Sequence, residues 1–237
     1  MSEYRVVKYK ASIFTPNLLV QDWLKFFNAI VALLKDKLTG TPIILPVPNN
    51  APISIPRFQF ISEDQKWQLS VSLERTDINF VDSDILMDSS ISDEEFLKVA
   101  AEFFYKYKSI QDIHIQRLAF ITERIRPDER ATSRILSEFA NKDLMLKGKP
   151  FHEVSKFEIH SLKTYDWSGY HINSWIRIKS LDFVADKIVP VMMIQNDLNT
   201  LSFEKDPKKD FSAQEIEDYF LKINDHLLDI LRKYNLD

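Results

Sequence analysis

The sequence predicts an α+β protein built of antiparallel curved sheets, with the helices packed on one side. Two patterns predict this class. Side chains that alternate between apolar and polar at every second residue indicate half-buried strands, and apolar stripes at three- and four-residue spacing indicate amphipathic helices. Both patterns occur in each half of the 237-residue chain. Its hydrophobic content of 45% is typical of globular proteins, so we expect a packed core without disulfides or metals.

The first half of the chain shows the order strand, helix, strands, helix. Trp67, Leu69 and Val71 alternate with polar residues, which predicts an antiparallel strand. Ser92 and Glu95 have the spacing of a capping box, which predicts a helix start. The predicted elements are a strand over residues 4–14, a helix over 19–38 that ends at Gly40, strands near 53–60, 67–74 and 78–80, and a helix after residue 92.

The second half repeats this order. The predicted elements are a strand over 113–125, a helix over 127–142, strands over 154–163, 170–179, 183–194 and 198–203, and a last helix opened by a capping box at 212–215. We therefore predict a pseudo-duplicated protein of two β-α-β4-α units, residues 1–110 and 111–237, in one compact unit. In topology this order resembles tandem TATA-binding-protein-like repeats, and a resemblance of topology does not carry function.

The composition excludes several classes of chemistry. The chain has no cysteine, which removes disulfides, thiolate metal sites and cysteine nucleophiles. It has three glycines, whereas phosphate-binding loops need several close together, so we expect no nucleotide cofactor. No histidine and carboxylate spacing typical of a metal site occurs. The 31 basic and 35 acidic residues are too balanced for a strong field toward nucleic acid. The charged start and the lack of a long apolar run predict a cytoplasmic protein without membrane contact.

A cluster of arginines is the first candidate site. Five of the ten arginines fall within eighteen residues. They are Arg117, Arg124, Arg126, Arg130 and Arg134. Guanidinium groups pair bidentately with phosphate or carboxylate, so the cluster is a candidate for binding an anion or a nucleic acid. The alternative is a solvated helix end whose charges pair with one another.

One face of the predicted strand over residues 170–179 is the second candidate site. Its side chains combine an aromatic platform, hydrogen-bond donors and positive charge, which single-stranded nucleic acid or a partner surface would use. They are His171, Asn173, Trp175, Arg177 and Lys179. The alternative is that the other half of the protein covers this face.

A proline-rich arm over residues 41–56 is the third candidate. Five of the ten prolines lie in it, so its backbone is extended and cannot form a central strand over its whole length. Such an arm could add to a partner's sheet or bridge a homodimer. Its apolar side chains are Ile43, Ile44, Leu45 and Val47. The alternative is that the arm packs back on its own domain.

A resemblance to a sporadically distributed bacterial family of uncharacterised proteins is carried by three segments: Trp67 to Phe80, His114 to Ile121 and Leu198 to Tyr234. In that family a mid-chain strand has the form apolar-x-Arg-apolar-x-apolar-Arg, and the terminal helix follows a short acidic strand. The next part of the family strand, Arg-Tyr-Ile-Asn, is replaced here by Ile121-Thr122-Glu123-Arg124. The resemblance implies a bacterial protein and implies no activity.

These observations lead to three functional hypotheses. The missing catalytic motifs, the abundant aromatic residues and the proline-rich arm favour a non-catalytic protein-interaction or scaffold subunit of a bacterial cytoplasmic system. Its partner would be another protein or a second copy of the chain. The first alternative is a nucleic-acid-binding protein that uses the arginine cluster and the Trp175 face. The second alternative is an enzyme of unrecognised type.

Overall fold

The structure, a computed structural model, describes residues 4–16, 18, 20, 23–34, 37–48, 50–82, 91–110, 113–184, 188–201 and 209–234. The strands are β1 Arg5–Phe14, β2 Ile43–Ile44, β3 Phe58–Ile61, β4 Trp67–Val71, β5 Arg75–Val81, β6 Arg117–Pro127, β7 Glu158–Trp167, β8 Tyr170–Val184 and β9 Ile188–Thr200. The helices are α1 Trp23–Leu34, α2 Asp93–Ile110, α3 Ala131–Phe139 and α4 Ala213–Arg232, with a 3₁₀ turn at Lys142–Met145. The predicted α+β class is confirmed.

The nine strands form one curved antiparallel sheet in the order β2-β3-β4-β5-β1-β6-β9-β8-β7. The sequence predicted more than one sheet. The structure has one sheet because β1 pairs on one side with β5 and on the other with β6, the opening strand of the second half. The two predicted halves therefore lie side by side, joined along β1 and β6. Their division at residues 110 and 111 stays a prediction.

The second half differs from the prediction in its number of strands. Within the described residues it has three strands after α3, where four were predicted, because β9 runs without a break from Ile188 to Thr200 and spans the positions of two predicted strands. It pairs with β8 from Ile172 and Thr200 to Val184 and Ile188. The apolar alternation continues through Leu181 and Phe183, and these side chains pack with Val191, so the ladder persists where a break was predicted. Residues 202 and 203 of the last predicted strand lie outside the described residues.

The four helices of the described residues pack on the same face of the sheet, as predicted. The centre of the core is Phe96 of α2, which is fully buried and stacks on Tyr9 at 4.9 Å and Trp67 at 5.7 Å between ring centroids. A second cluster under α3 packs Ile135 against Ile176 and other side chains of β8 and β9. The helices thus bury one face, and the side chains of alternate residues point to the opposite side of the sheet. We call that side the open face.

Gly40 shows a close backbone approach that the sequence did not predict. It was expected to end the first helix, but α1 ends at Leu34. A Cβ atom at Gly40 would lie 2.0 Å from the carbonyl oxygen of Ile61, closer than any real contact. Glycine is therefore required because the chain after α1 runs directly against the end of β3.

Candidate functional site

The open face carries three central rows of side chains that cross six strands, from β5 to β7. The strand registers define them. The first row is Val81, Lys8, Glu123, Gln195, Arg177 and His160. The second is Asn79, Lys10, Ile121, Asp197, Trp175 and Leu162. The third is Asp77, Ser12, Ala119, Asn199, Asn173 and Thr164. Three of these eighteen side chains are basic lysine or arginine and three are acidic, so the central rows are electrically neutral.

The charges of the first row are linked in a chain of hydrogen bonds. Lys8 Nζ donates to Glu123 Oε1 at 3.1 Å, and Gln195 Nε2 donates to the same oxygen at 3.1 Å. Arg177 Nη1 then donates to Gln195 Oε1 at 2.8 Å. The chain crosses four strands, because side chains directly opposite each other on neighbouring strands lie within contact distance. Each charged group in it therefore already has a partner within the protein.

Asp77 contacts the basic side chains at the β5 side of the open face. Its carboxylate accepts from Lys10 Nζ at 3.1 Å, from Arg75 Nε at 2.9 Å and from Ser12 Oγ at 2.6 Å. The Asp77 side chain is 8% exposed. The Asp77 carboxylate therefore neutralises much of the positive charge of Lys10 and Arg75.

Trp175 and Leu162 form an apolar pair beside this polar network. They face each other across β8 and β7, and Leu162 is 49% exposed. The guanidinium of Arg177 lies 5.9 Å from the centroid of the Trp175 ring. On the other side Trp175 is opposite Asp197 of β9. An aromatic and an aliphatic group with a polar surround is the arrangement found at the centre of many protein interfaces.

The second predicted site is thus brought together on the open face. Its five residues, His171 to Lys179 at every second position, point away from all four helices. The alternative, that the other half of the protein covers this face, does not describe the structure, because the halves lie side by side in one sheet. Asn173 accepts from Thr164 Oγ1 at 3.0 Å and donates to Asn199 Oδ1 at 3.3 Å. That these residues bind a ligand stays a prediction.

The predicted arginine cluster is divided between three places. Arg117 lies on the open face, donates to Asn199 Oδ1 at 2.8 Å and lies 4.9 Å from the Phe14 ring. Burial lowers the pKa of Arg117, and Asp197 nearby opposes that change. Arg124 and Arg126 point to the helix side, because they stand at an odd number of residues from Arg117 along β6. The five guanidinium groups therefore do not converge on one anion.

The other four arginines have local surroundings. Arg124 donates to Asp93 Oδ2 at 2.7 Å, and Arg126 lies 4.5 Å from the Tyr4 ring. Both are buried. Arg130 is exposed just before α3, and Arg134 in that helix donates to Asp128 at 2.8 Å. Arg124 and Arg134 are therefore ion-paired within the protein, and anion binding by the cluster stays a prediction.

The proline-rich arm lies along the β3 edge of the sheet. Ile43 and Ile44 form the two-residue strand β2 and are each 49% exposed, while Leu45 and Val47 are partly buried. The amide of Leu45 donates to the carbonyl of Arg57 at 2.8 Å. The arm thus contacts its own domain, and its binding to a partner stays a prediction.

On the helix side, a groove of about 670 Å³ lies between α2 and α4. Its lining includes four carboxylates and one lysine and no histidine. Within the described residues, no three His, Asp or Glu side chains are grouped closely enough to hold a metal ion. In that same part of the chain, no helix combines the length and the apolar character needed to cross a membrane.

The sequence matches no family model and no curated protein. Among solved structures, the chain is similar to a rolling circle replication initiator protein from Geobacillus stearothermophilus. The identity is 12%, the alignment covers 97% of this chain and 84% of that chain, and the TM-score is 0.35. A similarity at this TM-score supports no inference about function.

Sequence reasoning missed the residues that complete the open face. Lys8, Lys10 and Ser12 of β1 lie between β5 and β6, beside Asp77 and Glu123. A signal for them was present, because these residues alternate with the buried Tyr9, Ala11 and Ile13. Their neighbours could not be predicted, because strand order is a long-range property that alternation does not encode.

Proposed function

We propose that the protein is a non-catalytic binding subunit that holds a protein partner on the open face of its sheet, around Trp175. The proposal rests chiefly on one observation: the two lysines of the central rows are paired with carboxylates, Arg177 is hydrogen-bonded to Gln195, and an apolar pair, Trp175 and Leu162, lies among them. A protein surface of mixed charge can dock on such a face without leaving an uncompensated charge behind.

Charge pairing favours a protein over a nucleic acid as the partner. Nucleic-acid binding draws most of its affinity from basic side chains that neutralise phosphates and release counterions. Here Lys8, Lys10 and Arg75 each contact a carboxylate, and the three central rows have no net charge. A polyphosphate would have to break these contacts and approach Asp77, Glu123 and Asp197.

The experiment first finds the partner and then measures its affinity. A photoreactive phenylalanine analogue is placed in living cells at Ile121, in the middle of the open face. The matched control places it at Leu221, which is 53% exposed on α4 at the opposite side of the protein. We expect a crosslinked protein from position 121 that position 221 does not yield.

The affinity of the identified partner is then compared for the wild type, Trp175→Ala and Leu221→Ala. Loss of an aromatic residue at the centre of an interface costs about 2 kcal/mol or more, so Trp175→Ala should raise the Kd by roughly 30-fold. Leu221→Ala should leave it unchanged. Equal affinities for Trp175→Ala and the wild type would refute the proposal. Binding of single-stranded DNA that weakens with salt and with Trp175→Ala would assign the face to nucleic acid instead.

A further inference from the structure

The two edges of the sheet differ in how they are protected. At one edge, β2 has two residues and is flanked by Pro42 and Pro46, which cannot donate a backbone hydrogen bond. At the other edge, β7 is ten residues long, from Glu158 to Trp167, and contains no proline. A long edge strand without such protection is a template for pairing with another strand. The chain thus blocks one edge and leaves the other available.

The hairpin geometry defines which backbone groups of β7 point outward. Ser168 and Gly169, with φ of 49° and 85°, form a two-residue turn. A turn of this type places Trp167 and Tyr170 in a hydrogen-bonded pair. Along β7, residues whose backbone groups bond to β8 then alternate with residues whose backbone groups point away from it. The odd residues from 159 to 167 bond to β8. The even residues point their N–H and C=O groups away from the sheet: Glu158, His160, Leu162, Thr164 and Asp166.

Within the described residues, these five outward-facing positions make no backbone hydrogen bond outside the sheet ladders. The side chains of β7 are largely exposed, including Leu162 at 49%. Water satisfies the outward amides in a monomer, and a second strand would satisfy all of them at once.

We propose that β7 pairs antiparallel with β7 of a second copy of this chain, about a two-fold axis at Leu162. Each of the five outward-facing residues then exchanges two hydrogen bonds with the other copy, which gives ten between the chains. Leu162 lies opposite Leu162 of the second copy, and His160 lies opposite Thr164. Two nine-stranded sheets become one continuous sheet of eighteen strands.

The side chains favour this register over the one centred on Lys163. A shift of the axis to Lys163 would place two lysines directly opposite each other, which is destabilising. The register at Leu162 pairs the exposed leucines on the open face. Its ends bring Glu158 near Asp166 of the other copy, but each carboxylate contacts a histidine in its own chain, His160 at 2.7 Å and His171 respectively.

The dimer would also enlarge the binding surface. Leu162 is the neighbour of Trp175 on the open face, so the axis joins the two Trp175 and Leu162 pairs into one apolar patch. The proposal does not depend on what the open face binds, since the backbone pairing forms without a ligand. Its failure would therefore leave the proposed function intact.

Leu162→Pro tests the backbone pairing. The Leu162 amide is not used in the ladder with β8, so proline is tolerated there in the monomer. In the dimer it removes two hydrogen bonds, one from each chain. We expect sedimentation equilibrium to show a wild-type particle of twice 27.9 kDa and a dimer dissociation constant about 30-fold higher for Leu162→Pro. Leu162→Ala keeps the amide and serves as the matched control. A wild type that stays monomeric, or a Leu162→Pro dimer of unchanged affinity, overturns the proposal.

Single cysteines test the register independently, because the chain has no cysteine of its own. Leu162→Cys should form a disulfide dimer on mild oxidation, since the two positions face each other across the axis. His160→Cys is the control on the same strand and the same face. Its two copies would be separated by four residues, or about 13 Å, too far for a disulfide. If the Leu162→Cys chain stays uncrosslinked, or both variants crosslink equally, the register is wrong.

Discussion

Arg124 separates a structural role of the arginine cluster from a role in anion binding. Its guanidinium donates to Asp93 Oδ2 at 2.7 Å, and the two side chains are 10% and 17% exposed. Asp93 also accepts from the Tyr9 hydroxyl at 2.6 Å. Replacement by methionine keeps the length of the side chain and removes the charge. Asp93 would then be a nearly buried carboxylate without its cationic partner.

The expected loss follows from these contacts. Removing one partner of a buried ion pair costs roughly 3–5 kcal/mol. Two features reduce this: Asp93 keeps the hydrogen bond from Tyr9, and it lies in the first turn of α2, where the helix dipole stabilises a negative charge by about 0.3–1 kcal/mol. We therefore expect Arg124→Met to lower the free energy of unfolding by about 2–3 kcal/mol.

Urea denaturation followed by tryptophan fluorescence measures this loss. With an m-value of about 3 kcal/mol per molar urea, the midpoint should fall by roughly 0.7–1 M. Arg130→Met, at an exposed position, is the control and should change the free energy of unfolding by less than about 0.5 kcal/mol. A cycle with Asp93→Asn isolates the pair. If Arg124→Met also costs less than about 0.5 kcal/mol, or the two substitutions are additive, the ion pair does not stabilise the fold.

Two further predictions concern stability. Gly40→Ala should lower the free energy of unfolding by about 1–3 kcal/mol, because its Cβ would meet the Ile61 carbonyl oxygen at 2.0 Å. The control is Gly148→Asn, at a position in open space with a φ of 79°, and it should lower the free energy of unfolding by less. Equal losses of free energy of unfolding at both sites would show that the contact with Ile61 does not cause the effect. Burial lowers the pKa of His226 below 6.5, so the unfolded chain takes up the proton first and stability falls as the pH drops below that value. His226→Gln should therefore reduce the pH dependence of the free energy of unfolding, and identical slopes for the two proteins would show that His226 is not responsible.

Local features of the fold could be predicted because they depend on neighbours in the sequence. The alternation around Leu69 predicted β4, and Ser212 with Glu215 predicted the capping box that the structure contains at the start of α4. The Trp175 face was predicted for the same reason, because alternate side chains of one strand must share a face. The end of α1 and the extent of β8 and β9 were not predicted, because packing against distant strands decides where an element stops.

The candidate site shows the same division. The chain's sequence by itself determined which side chains stand together on one strand, such as Trp175 with Arg177, and that it contains no cysteine thiol. The arginines are close in sequence but not in space, because Arg117 and Arg124 are an odd number of residues apart on β6 and therefore lie on opposite faces.

The tertiary structure alone decided what surrounds Trp175. Strand order placed Lys8, Glu123, Gln195 and Arg177 in one row, although they come from four separate parts of the chain. It also placed β7 at an edge with its outward amides available, and β2 with its prolines at the other. The physical reason is that strand pairing is a long-range contact, which the period of side chains along one strand leaves open.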